Sequence, residues 1–127
     1  MKNQETFYRG AAGNLSLLCI VVPIGLAASE KQVIHADVPL GTEITGIRYA
    51  NEALGANSGI KVELVDVDDN THTLLDVSGS SADSGVVPLK PIYLDGNSHS
   101  DLVLTNDGTG AASGEVVIQL EYRFKGY

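Results

Sequence analysis

The sequence has no tryptophan, one cysteine (Cys19) and only seven aromatic residues among 127. A single cysteine forbids an internal disulfide and fits synthesis in a reducing compartment. The absence of tryptophan and of a cysteine pair removes the marks of an immunoglobulin domain. Basic residues are also scarce: 8 Lys and Arg stand against 16 Asp and Glu, for a net charge of −8. A nucleic-acid partner would require the opposite sign, so none is expected. The longest apolar stretch, Leu15 to Ala27, is too short for a membrane-spanning helix, which needs about 20 residues. No membrane partner is expected either.

That stretch follows Lys2 and Arg9 and so resembles the apolar part of a signal peptide. Glu5 interrupts the basic start, and Pro23 and Gly25 fall late in the run. Lipoprotein processing fits poorly, because Leu18 precedes Cys19 where a small residue is preferred. The expectation is that nothing is removed and that Leu15–Val22 forms a buried strand, with Cys19 a small core residue.

The pattern that is present is alternation. Val116, Ile118, Leu120 and Tyr122 alternate with Val117, Gln119, Glu121 and Arg123, which is the period of a strand with one apolar face. Short alternating runs punctuated by Gly, Asn, Asp and Ser recur along the chain. They predict strands at Leu15–Val22, Gln32–Val38, Thr42–Ala50 (with a bulge at Gly46), Ile60–Val67, Thr71–Val77, Val86–Leu94, Asp101–Thr105 and Gly114–Phe124. Pro88 and Pro91 put the sixth of these at a sheet edge. A helical turn is expected at Asn51–Leu54. About eight strands suit one all-β domain, an antiparallel β-sandwich of jelly-roll-like type. It would occupy residues 15–127, preceded by an extended N-terminal arm over residues 1–14.

Chemistry-bearing residues do not converge in the sequence. Asp66, Asp68 and Asn70 match the start of a calcium loop, but Thr71 stands where Gly belongs and Val77 where the closing Glu belongs. A turn between strands is the better reading. His99-Ser100-Asp101 has the residue types of a hydrolase triad, yet adjacent residues cannot converge as a triad does. His35, His72 and His99 lack metal-ligand spacing. Gly108 to Gly114 has no Lys and precedes a strand, unlike a phosphate cradle. Tyr93, Tyr122, Phe124 and Tyr127 could form a sugar platform, although core and interface roles are preferred. The expectation is no catalytic, cofactor or metal site.

Charge is uneven along the chain. Residues 1–50 carry four bases and four acids, whereas residues 51–127 carry four bases and twelve acids. One reading is an acidic face that aids solubility. A sharper one is a polarised molecule whose neutral end docks. The arm carries Phe7, Tyr8 and Arg9, and burying each aromatic is worth roughly 1.5–3 kcal/mol. These three are the expected partner-binding residues.

The arm, the all-β domain and the ending TGAASGEVVIQLEYRF together resemble head decoration (cement) proteins of tailed bacteriophages. The resemblance implies a capsid-surface protein made in the bacterial cytoplasm, binding the major capsid protein, often as a homotrimer, without enzymatic activity. A tail, baseplate or head–tail connector protein, or a carbohydrate- or cell-surface-binding module, are the alternatives.

Overall fold

In a computed structural model of the protein, which describes residues 14–94 and 99–125, the described residues form eight strands and no helix. Phe7, Tyr8 and Arg9 lie outside the described residues. The strands are β1 (Leu15–Leu26), β2 (Lys31–Val38), β3 (Thr42–Asn51), β4 (Gly59–Val65), β5 (Thr71–Ser78), β6 (Asp83–Tyr93), β7 (Ser100–Thr105) and β8 (Ala112–Phe124). They build two four-stranded antiparallel sheets, ordered β1-β8-β3-β6 and β2-β7-β4-β5.

The pairing is nested. β4 pairs with β5, β3 with β6, β2 with β7 and β1 with β8. The chain is thus one long antiparallel ribbon, doubled at the Asp66–Asn70 turn and wound into two layers, which is the jelly-roll-like sandwich expected. One pole carries the start of β1, the end of β8 and the 65–71 turn. The other carries the β1–β2, β3–β4, β5–β6 and β7–β8 connections.

Alternation fixes the core. Leu18, Ile20, Val22, Ile24 and Leu26 point inward from β1, and Val116, Ile118, Leu120 and Tyr122 point inward from β8. They meet Ile60, Val62, Leu64, Leu102 and Leu104 from the facing sheet. β3 departs from a strict period of two. Ile44 and Ile47 are three apart and both fully buried, because the register shifts between Ile44 and Gly46 against both neighbouring strands. This is the bulge expected at Gly46, where one extra residue resets the phase.

Several expectations are corrected. β1 does not stop at Pro23 but runs to Leu26, because at a sheet edge the missing N–H need not break the ladder. β1 is buried on one face only, and Cys19 points outward and is exposed rather than in the core. Asn51 closes β3, and residues 52–54 are not helical. β7 opens at Ser100, one residue ahead of the strand expected from Asp101. Asn106, which lies just past β7 among turn-forming residues, is fully buried.

Candidate docking surface on the outer face of β1

Every second residue of β1 faces solvent: Leu15, Leu17, Cys19, Val21, Pro23 and Gly25. None is charged, and Leu15, Leu17 and Val21 are 60%, 46% and 51% exposed. A strand whose inner row already fills the core gains nothing in stability from a second apolar row. Such a row is a candidate docking surface.

The surroundings keep the face near neutral. On β8 the outward Gln119 and Glu121 lie opposite Cys19 and Leu17. The Glu121 carboxylate accepts a hydrogen bond from the Thr45 hydroxyl at 3.0 Å and lies 3.5 Å from the Arg48 guanidinium. Glu43, 8% exposed, accepts from Nε of Arg123 at 3.1 Å and faces Lys125 at 3.6 Å. The Arg123 bond, reinforced by the Lys125 charge, holds its carboxyl below the usual range. The strands of this sheet carry four acids against three bases.

The acid-rich second half of the sequence is therefore not an acidic end of the molecule. Nested pairing interleaves the halves, and much of the excess acid sits in turns, at Glu30, Glu52, Asp66, Asp68, Asp69 and Asp107. The division is between strands and turns, not between a neutral end and an acidic one.

The remaining candidate residues serve the fold. The Asp66 carboxylate accepts from the backbone N–H groups of Asp68 and Asn70, both at 2.9 Å, and from the Asn70 amide at 3.2 Å. Those bonds lower its pKa and cap the turn, leaving it poorly placed as a metal ligand. An open groove beside this turn runs over Val33, Val65 and Val103 and is rimmed by Lys31, Asp37, Asp69 and His99. In it the Asp101 carboxylate accepts from the Asp37 N–H at 3.0 Å. His35 is buried in β2, His72 lies on β5 and His99 just precedes β7, so the three histidines do not meet. Tyr122 is fully buried, and Tyr93 sits at the end of edge strand β6 under the Lys125 ammonium, 5.6 Å from the ring centre. They form no aromatic platform, and Tyr127 is outside the described residues. Gly108 and Gly110 pack against the backbone of Ala56 to Gly59 so closely that a side chain would collide there. They are fitted to the fold, not to a phosphate.

Sequence reasoning missed the outward half of β1. Its period-two pattern is hidden because both rows are apolar, so the run reads as a fully buried strand.

No family model matches this sequence, and no curated protein does. Solved structures do match its fold. A chain of the capsid of Ralstonia phage GP4 superposes with a TM-score of 0.66 at 14% identity, over 98% of this chain and 92% of that one. A chain of the disulfide-linked pili that form Bacillus endospore appendages superposes with a TM-score of 0.50 at 13% identity, over 97% of this chain and 99% of that one. At such identities the likeness is one of fold.

Proposed function

We propose that this protein is a structural component of a phage virion that binds the outer capsid surface and braces it by bridging major capsid subunits. The observation that carries the reading is the uncharged outer row of β1, from Leu15 to Gly25, exposed on a molecule of net charge −8. The fold shared with a chain of a phage capsid supports it. The reading assigns no catalytic role and no cofactor. In it, Phe7 and Tyr8 of the arm add buried area across a neighbouring subunit and Arg9 beside them supplies a cation. The homotrimer remains an implication of the resemblance to decoration proteins.

A site that spans subunits exists only on the assembled shell. The protein is expected to bind expanded capsids better than free coat protein and to raise the temperature at which shells rupture. Leu17→Lys, at an exposed position, should weaken capsid binding at least tenfold in a co-sedimentation titration while leaving the melting temperature within a few degrees. Equal binding to unassembled coat protein, or recovery only with tails from intact particles, would sink the proposal.

A further inference from the structure

A sandwich of two open sheets has four edge strands, here β1 and β6 in one sheet and β2 and β5 in the other. An edge offers unpaired N–H and C=O groups to any other strand, and proteins usually blunt it with proline, charge or bulges. Three of the four are blunted. β6 carries Pro88, Lys90 and Pro91. β2 has two register shifts along its pairing with β7, and carries Lys31 and Asp37, the latter at φ 58°. β5 has a register shift against β4 and carries Asp76.

β1 is treated differently. It is twelve residues long, pairs with β8 without a register shift from Leu15 to Leu26, and has no charged residue. Pro23 is its one protective feature, and it falls near one end. Among the described residues no strand occupies its outer edge.

We propose that β1 pairs edge to edge, antiparallel, with β1 of a second copy, joining two four-stranded sheets into one sheet of eight. The occupant follows from charge. Two molecules each at −8 repel, and their least costly approach is along a segment that carries no charge on either side. An antiparallel strand pair is also its own two-fold mate, so the contact closes on itself without growing into a filament. An acidic partner of another kind could not be steered by charge to a neutral strand, and a basic one would select the turns. The seam uses the backbone edge in the plane of the sheet and leaves the outer row uncovered. It therefore sets two rows of Leu15, Leu17 and Val21 side by side at the middle of one continuous face. The seam does not depend on the capsid reading, since it forms in solution.

Cys19 lies within two residues of the middle of β1, faces outward and is the only cysteine in the chain. A nitroxide there reports on the seam without further substitution. The registers nearest full overlap that keep both outer rows on one face set Ile20 opposite Ile20 or Val21 opposite Val21, and they place the Cys19 Cα atoms about 8 or about 14 Å apart, from the rise per residue and the strand spacing.

The test combines sedimentation of the full chain across a concentration series, the label-to-label distance, and hydrogen exchange of the β1 amides. A mass of two chains, labels within about 20 Å (the seam separation plus two label arms), and β1 protection that rises with concentration while β6 stays unchanged support the seam. Val21→Lys, on the exposed face, should keep the wild-type circular dichroism and shift the midpoint of dimerisation at least tenfold. A monomer at all concentrations, an oligomer with distant labels, a Val21→Lys protein that dimerises as before, or β1 protection independent of concentration would overturn it. The last of these would mean that the chain covers its own edge.

Discussion

At the scale of single residues the strongest demand falls on Asn106. Its side-chain amide donates to the carbonyl oxygens of Leu26 (3.2 Å), Ala27 (3.3 Å) and Gly110 (2.8 Å). Its Oδ1 accepts from the N–H groups of Gly59 (3.0 Å) and Gly108 (3.2 Å). One buried side chain thus satisfies backbone from the β1–β2 turn, the start of β4 and the β7–β8 loop. Asn106→Ala leaves several of those groups unpaired and should cost about 2–4 kcal/mol in denaturant unfolding. The neighbouring Asp107 follows a different logic. Burial and the facing Asp76 raise its pKa above the ordinary value. A carboxyl whose folded pKa is raised adds stability that is fully present below its unfolded pKa and is lost as pH rises through the folded pKa. The wild type should therefore lose stability relative to Asp107→Asn as pH climbs from about 4 to 7. Melting curves at the two pH values would show it, and a constant gap would refute the coupling.

At the scale of elements, the Gly46 bulge holds β3 in phase with the core. A Cβ there would lie 3.3 Å from both the Glu121 carboxylate and the Val87 carbonyl oxygen. Gly46→Val should press β3 away from β6 and cost about 1–3 kcal/mol, read from the unfolding midpoint. This bulge was legible in the sequence, because a glycine inside an alternating run has few other uses. So was the burial of Val116, Ile118, Leu120 and Tyr122, whose opposite row is mostly polar and marks the outside. β1 was legible as a strand but not as an interface, since Leu17 and Val21 look no different from Leu18 and Val22 until the neighbours are known. Asn106 was illegible for the opposite reason. In sequence it sits among turn residues, and only the meeting of three distant segments buries it.

At the scale of the whole molecule, the net charge is spread over the turns at both poles, so copies repel and each domain is under mild internal strain from like charges. Raising salt from about 0.02 to 0.3 M shortens the screening length severalfold, and should raise the melting temperature and tighten the β1 seam together. A seam that weakens with salt would instead be held by ion pairs. The nested pairing also makes the domain mechanically anisotropic. Leu15 sits opposite Arg123, so residues 14 and 125 leave the domain side by side. Force applied between those two residues opens the β1–β8 ladder like a zipper, loading one hydrogen bond at a time. Force applied along the strands, from one pole to the other, loads the same twelve residue pairs in shear and at once. A molecule built this way yields easily when drawn apart by its ends and resists when stretched along its length. A shell that leans on it for strength would therefore route tension from pole to pole.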